Sequence, residues 1–287
     1  MNIKTIQTGE MMIIADLHTH TKLCNHASGM PIDYVKAAIA KSYIDILGIA
    51  DHFPFSAGFD LESRMQEDQW DFYVEQVLST QDFASENGLE VLLGTELDYV
   101  EKGFDKVKKA VLEHTSKVDY IIGSVHCANG IAFDNPIFLE EWKSDEFCDK
   151  IYESYGLNLV KFIKSGLFHI IGHIDLPKKF NFFPSTEHKK RQFLDVLDYV
   201  FELASEQGVA FEMNSAGKYK PVTEFYPNID ILRLAAKHDM LVTFGSDAHL
   251  PNDVGNDFAE MRELALYAGL KKTVFFRKKQ PIIQKII

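Results

Sequence analysis

Short apolar runs alternate with longer stretches of helical period along most of this chain. The apolar runs consist largely of Ile, Val, Leu and Phe, and each of them ends in polar residues. Runs of about 4–8 residues without a polar face are typical of buried strands. The pattern predicts seven strands: MMIIAD (11–16), DILGIADH (45–52), LEVLLGTE (89–96), DYIIGSVH (119–126), HIIGHID (169–175), VAFEMN (209–214) and LVTFGSDAH (241–249).

Helical periodicity between these runs predicts parallel strands joined by crossover helices, and therefore an α/β fold. Gly166 and Gly208 stand where helices are expected to end, just before the next strand. Seven units over residues 11–250 predict a (β/α) barrel. A doubly wound open sheet is the alternative, but the Gly-rich phosphate fingerprint after the first strand is absent. Without an internal linker we expect one domain over 1–287, with residues 1–10 as a candidate disordered extension.

Polar residues that can bind metals or transfer protons follow every predicted strand. In a (β/α) barrel the carboxyl ends of the strands meet at one rim, where the active site lies. Side chains at i and i+2 of a strand point to the same side, so His18 and His20 could bind one cation together. The complete set is Asp16, His18, His20, Asp51, His52, Glu96, His126, His173, Asp175, Glu212, Asn214, Asp247 and His249.

These side chains have the chemistry of metal ligands. Imidazole and carboxylate groups bind zinc, iron or manganese, and a carboxylate such as Glu96 can bridge two cations. A single histidine at a strand end is more often a hydrogen-bonded packing residue, so the inference depends on the whole pattern. Cys24 and Cys127 lie near the candidates. We interpret both as small buried apolar residues, because histidines and carboxylates already fill the predicted sites.

Composition narrows the possible partners. The 287 residues carry a net charge of −12, which argues against a duplex nucleic-acid binder. An anionic substrate would therefore need local cations, and bound metals can supply them. Three cysteines without disulfide spacing, no secretory signal and no membrane-length apolar run predict a cytoplasmic protein. We expect a small-molecule partner, neither nucleic acid nor a membrane, and the sequence assigns no oligomeric state.

Seven short motifs resemble those of the polymerase and histidinol phosphatase (PHP) family, in the same order over nearly the whole chain. GHIDLPKKF, NSAG with the KP and YP that follow it, and ESRM (62–65) are similar to the histidinol-phosphate phosphatase branch in particular. The seven motifs are DLHTHTKLCNH (16–26), ADH (50–52), GTE (94–96), SVH (124–126), GHIDLPKKF (172–180), EMNSAG (212–217) and GSDAH (245–249).

The resemblance implies a distorted (β/α)7 barrel with the active site at the carboxyl ends of the strands. It also implies up to three divalent cations, and every ligand position of the family pattern is filled here. The first metal would be held by His18, His20, Glu96 and Asp247, the second by Glu96, His126 and His173, and the third by His26, His52 and His249.

The reaction that the resemblance implies is hydrolysis of L-histidinol phosphate to L-histidinol and phosphate, a step of histidine biosynthesis. A hydroxide between the metals would attack phosphorus. A metal-bound water, Asp51 and Asp175 are candidates for proton transfer, and the two aspartates are also candidates for orienting the neighbouring histidines. Candidate substrate contacts are Arg64, Lys178, Lys179 and Asn214, where Arg offers a fork of donors and Lys a point charge.

Three other functions fit parts of the pattern. The first is a PHP phosphoesterase for another small ester such as a nucleotide. A two-metal amidohydrolase would share the first HxH and the late Asp, but it leaves His26, His52 and His249 without a role. A non-catalytic metal-binding module would be expected to have lost ligands, whereas this chain keeps the full set.

Overall fold

The strands place their polar ends around one rim. The structure is a computed structural model that describes residues 4–5 and 12–287. The candidate extension over residues 1–10 lies outside the described residues, apart from Lys4 and Thr5. The strands are β1 (Lys4–Thr5), β2 (Ala15–Asp16), β3 (Ile46–Ile49), β4 (Glu90–Leu93), β5 (Glu96–Asp98), β6 (Ile122–Ser124), β7 (Ile170–Ile171), β8 (Ala210–Asn214), β9 (Val242–Gly245), β10 (Lys272–Arg277) and β11 (Gln280–Lys285).

Helices connect the parallel strands, as the alternating pattern predicts. Gly208 ends α6 with a φ of 69°, a conformation that favours glycine. Among the described residues, no helix is both long and apolar enough to cross a bilayer. The helices are α1 (Pro31–Lys41), α2 (Trp70–Leu78), α3 (Gln81–Glu86), α4 (Phe104–His114), α5 (Asp145–Ile163), α6 (Glu187–Gln207), α7 (Ile229–Lys237) and α8 (Phe258–Ala268).

The parallel strands form two connected runs, β2-β3-β4 and β5-β6-β7-β8-β9. β4 and β5 are the two halves of one predicted strand, interrupted at Gly94 and Thr95. A bridge between His52 and Glu96 carries the pairing from the chain after β3 to β5. Seven strand positions therefore follow one another in chain order, and this confirms the predicted α/β fold with parallel strands.

The two ends of this set of strands meet at β9, which has different neighbours along its length. Its first residue, Val242, pairs with Thr273 of β10. Farther along, the Phe244 carbonyl accepts a hydrogen bond from Leu17 N at 3.0 Å, and His20 N donates to Ala248 O at 2.9 Å. The chain after β2 thus lies beside the chain after β9, which is the arrangement expected of a distorted barrel.

The C-terminal residues form a hairpin at the end of the strands opposite the polar rim. β10 and β11 are antiparallel and are joined by Lys278–Lys279, both with positive φ, as in a two-residue hairpin turn. Phe275 and Ile282 share an apolar cluster with Ala15 and Ile46, the first residues of β2 and β3. The hairpin therefore covers this end of the strands.

Tyr120 fills the space between the strands above that hairpin. It is fully buried, and its hydroxyl donates to the Leu17 carbonyl at 2.5 Å. Its ring and hydroxyl lie where a Cβ on Gly48 or Gly94 would be. The two glycines are therefore required by close approach, because interiors are packed to a density that leaves no room for an extra methyl group.

We predict that Gly48→Ala lowers the free energy of unfolding by about 2–3 kcal/mol, because the new methyl group overlaps the Tyr120 side chain. Urea denaturation followed by tryptophan fluorescence measures the change. In a Tyr120→Val background the same substitution should cost much less, because the overlapping atoms are gone. An equal cost in both backgrounds would contradict this account of the barrel interior.

Candidate metal centre

Nine side chains predicted as metal ligands surround one cavity at the carboxyl ends of the strands. The cavity has a volume of about 400 Å³, and eight of the nine side chains line it. The ninth, His18, is completely buried just behind this wall. The eight that line it are His20, His26, His52, Glu96, His126, His173, Asp247 and His249.

The first predicted set converges as the sequence spacing suggests. His18 Nε2 and His20 Nε2 lie 3.0 Å apart, and Asp247 Oδ1 lies 3.3 Å from His20 Nε2. Glu96 Oε2 is 3.6 Å from His18 Nε2. His18 Nδ1 donates to Glu212 at 2.7 Å, so Nε2 is the atom of this ring that would bind a metal. That nitrogen faces a second imidazole nitrogen and two carboxylates. Burial would lower the pKa of His18, but Glu212, Asp247 and Glu96 raise it, so a cation between these groups would take the place of a proton.

The second predicted set uses the other oxygen of Glu96. Glu96 Oε1 lies 3.1 Å from His173 Nε2 and 3.7 Å from His126 Nε2. The three ligand atoms are close enough to hold one ion. Since Oε1 faces this set and Oε2 faces the first, Glu96 would be able to contact a cation in each set.

In the third predicted set, two imidazole rings face each other. His26 Nδ1 lies 2.8 Å from the Cys24 carbonyl, and His249 Nδ1 lies 2.9 Å from the Asp247 carbonyl. Carbonyls only accept hydrogen bonds, so the protons are on Nδ1 and the two Nε2 lone pairs face each other at 2.9 Å. His52 is the third member, and its Nδ1 lies 2.9 Å from Glu96 Oε2.

The candidate ligands shift one another's pKa values. Burial would raise the pKa of Glu96 and Asp247, but the surrounding imidazoles outweigh it and hold the pKa of both well below the ordinary range. Burial and the charges of His52 and His249 lower the pKa of His26 to about 4. Burial would lower the pKa of His126 as well, but Asp98 and Glu96 raise it to about 10. Ionised carboxylates and neutral imidazoles are the ligand forms. Divalent cations therefore fit these residues by replacing the protons that the carboxylates attract to His18 and His126.

Glu212 holds two of the candidate ligands in place, and it was predicted only as a rim residue. Besides His18 Nδ1, its carboxylate accepts hydrogen bonds from His173 N at 3.0 Å and from Asn214 Nδ2 at 3.0 Å. Asn214 was predicted as a substrate contact. It is fully buried, and its amide is engaged by Glu212 and by the Ala216 N–H, so it supports Glu212.

Arg64 and Asp98 support His126 in the same way. Asp98 Oδ1 accepts from His126 Nδ1 at 2.5 Å, and Asp98 Oδ2 accepts from Arg64 Nη2 at 2.9 Å. Burial would raise the pKa of Asp98, but the charges of His126 and Arg64 lower it below its ordinary range. Arg64 is only 1% exposed and also donates to the Phe53 and Asp60 carbonyls. These contacts direct its guanidinium to Asp98.

The two aspartates predicted for proton transfer lie behind the cavity wall. Asp51 accepts from Thr21 N and from Thr21 Oγ1, each at 2.5 Å, and burial raises its pKa to about 7. Asp175 accepts from Lys178 at 2.9 Å and from Asn228 N at 3.0 Å. Neither residue lines the cavity, and both accept hydrogen bonds from neighbouring residues instead.

The two adjacent lysines have different surroundings. Lys178 is 1% exposed and binds Asp175, Glu224 and the Phe225 carbonyl, away from the cavity. Lys179 lines the cavity, where its ammonium group donates to Asp134. Lys220 also lines the cavity and is exposed. Sequence reasoning missed Lys220, although its position shortly after the Glu212–Asn214 strand end is a usable signal.

Cys24 lies against the rim ligands without being exposed. Its sulfur is within reach of His20 and His249, and the side chain is completely buried. Burial raises the pKa of the thiol well above its ordinary value, which disfavours the thiolate form that binds metals. This placement agrees with its interpretation as a packing residue.

We predict that Glu212→Gln weakens metal binding about 10- to 100-fold. The carboxylate now accepts hydrogen bonds from three N–H groups, and the amide NH₂ of Gln would face at least one of them without being able to accept. Titration of metal-depleted protein with zinc measures the affinity. Glu206→Gln, an exposed change on α6, is the matched control. Equal zinc affinity for Glu212→Gln and the control would contradict the supporting role of Glu212.

The sequence matches known families. A family model described as the PHP domain matches residues 16–216, and one described as PHP-associated matches residues 226–269. A Deinococcus radiodurans protein named "Probable histidinol-phosphatase" is 37% identical over 270 residues, which cover 93% of this chain and 99% of that protein. The Bacillus subtilis protein named "Histidinol-phosphatase" is 24% identical, covering 84% of this chain and 95% of its own.

Solved structures share the fold. A Listeria monocytogenes protein assigned to the histidinol phosphatases superposes with a TM-score of 0.76 at 22% identity, over 86% of this chain and 99% of that chain. The histidinol phosphate phosphatase from Lactococcus lactis gives a TM-score of 0.72 at 17% identity, over 93% of this chain and 98% of its own. The chain therefore belongs to the PHP domain family, in the group that contains the histidinol-phosphatases.

Proposed function

We propose that this protein hydrolyses L-histidinol phosphate to L-histidinol and phosphate. The observation that carries the proposal is the set of predicted ligands around one cavity, in a chain 37% identical to a protein named as a histidinol-phosphatase. A cavity of about 400 Å³ is within the size range of small-molecule sites. The reaction would take place in the cytoplasm, in agreement with the composition.

The proposed cofactors are up to three divalent cations, with zinc, iron and manganese as candidates. The Lactococcus lactis structure contains zinc, L-histidinol and phosphate, and the last two are the products expected here. Divalent cations at such sites polarise phosphoryl oxygens and lower the pKa of water. The residues proposed to hold them are those of the three predicted sets, with Glu96 shared between the first and the second.

The side chains on the cavity wall would bind the substrate by charge. Lys179 and Lys220 supply ammonium groups in a protein whose net charge is −12. A phosphate monoester dianion is attracted by such groups, and charge-assisted hydrogen bonds fix its position. For Asp51 and Asp175 we propose that they orient neighbouring residues, since both lie behind the wall. For Arg64 we propose that it acts through Asp98.

Release of phosphate from a panel of monoesters tests the proposed function. The panel contains histidinol phosphate, serine phosphate, a nucleoside monophosphate and p-nitrophenyl phosphate, and histidinol phosphate should have the highest kcat/KM. A higher kcat/KM for the nucleotide would show that the proposed substrate is wrong. If the metal-loaded protein hydrolysed none of the four esters, the result would indicate a non-catalytic module.

We predict that His173→Ala lowers kcat at least about 100-fold and reduces the bound metal, because it removes a nitrogen 3.1 Å from Glu96. Elemental analysis and phosphate release measure the two effects. His188→Ala, an exposed histidine on α6, should change neither. Full activity of His173→Ala protein after metal depletion would exclude the proposed scheme.

We predict that Lys179→Ala raises KM for histidinol phosphate about tenfold or more and changes kcat little, because a charge-assisted hydrogen bond to the phosphate is lost. Steady-state kinetics measure both constants. Lys190→Ala, which removes an exposed lysine paired with Glu187, is the control. A large fall in kcat at unchanged KM would place Lys179 in the chemical step instead.

A further inference from the structure

The hydroxyl of Tyr226 is a buried donor on the cavity wall that no group in the described part of the chain accepts. The side chain is 1% exposed, and it lines the same cavity as His173 and Lys179. Leaving a buried hydroxyl without a partner costs about 1–3 kcal/mol, and native structures rarely retain such groups without a reason. A ligand in the cavity would supply the acceptor.

The ring is fixed before any ligand enters. Asn214 N donates to Tyr226 O at 2.7 Å, and Tyr226 N donates to Asn214 O at 3.0 Å. A Cβ on Gly217 would lie 2.9 Å from Cε2 of the ring, so the glycine leaves the space that the ring occupies. Holding a donor in its binding geometry in advance reduces the entropy lost when a ligand binds.

A buried cation lies over the same ring. The Lys178 ammonium is 5.6 Å from the Tyr226 ring centroid, and it is anchored by Asp175 at 2.9 Å and by the Phe225 carbonyl at 2.8 Å. An ammonium over the ring face attracts the ring electrons, which makes the O–H bond more polar. A phenol keeps its proton at neutral pH, with an ordinary pKa of about 10, so the group donates a hydrogen bond.

The neighbours of the ring indicate which part of a ligand it meets. The Tyr226 and His173 ring centroids are 6.3 Å apart, and His173 belongs to the second ligand set with Glu96 and His126. Phosphoryl oxygens are the substrate atoms drawn to that set. We propose that the Tyr226 hydroxyl donates a hydrogen bond to a non-bridging phosphoryl oxygen. This inference rests on the proposed phosphatase function.

Tyr226→Phe tests the inference because it removes one oxygen and keeps the ring. Binding of inorganic phosphate to metal-loaded protein, measured by isothermal titration calorimetry, should weaken about tenfold or more. The kcat/KM for histidinol phosphate should fall by a similar factor. Metal content should stay the same, and Tm should stay the same or rise, because the hydroxyl has no partner to lose.

Tyr152→Phe is the matched control. The Tyr152 hydroxyl donates to the Phe182 carbonyl at 2.9 Å, and the residue lies outside the cavity. This variant should lose stability and keep its phosphate affinity, the opposite of Tyr226→Phe. Unchanged phosphate affinity in Tyr226→Phe, or loss of its metal, would overturn the inference. Weaker phosphate binding in a protein that does not hydrolyse histidinol phosphate would support the inference and refute the proposed function.

Discussion

The rim of this barrel depends on lone pairs that face one another at close range. His18 and His20 approach to 3.0 Å, His26 and His249 to 2.9 Å, and Glu96 lies between the first two ligand sets. Without a cation or a proton between them, such nitrogens and oxygens repel in a low-dielectric site. The fold brings them together from strands far apart in the chain, so binding of a positive charge has to offset this repulsion.

Carboxylates outside the three ligand sets hold the imidazoles in positions where their ring nitrogens lie unfavourably close together. Glu212 accepts from His18 Nδ1 and from the His173 backbone, and Asp98 accepts from His126 Nδ1. By accepting a hydrogen bond from one ring nitrogen, each carboxylate directs the other nitrogen towards the neighbouring ligands. Arg64 in turn offsets the charge of Asp98. Orientation and charge balance are therefore provided by the same contacts.

The alternation of apolar runs was sufficient to predict the order of the strands and the helices between them. The break between α2 and α3 depends on a local contact instead: Thr80 Oγ1 donates to Val77 O at the end of α2. Spacing at i and i+2 could also have identified Asp98 from Glu96. The contact of Arg64 with Asp98 joins a loop to a strand 34 residues away, and no local pattern encodes it.

The two ends of the strands have different roles: one stabilises the fold and the other holds the candidate ligands. At one end, Tyr120 and the β10–β11 hairpin bury apolar surface against the strand starts, which stabilises the fold without metal. At the other end, polar groups are buried at a cost that hydrogen bonds only partly offset. Ligands that are deprotonated and preassembled gain most from a cation, so metal binding and ordering of the rim are linked equilibria.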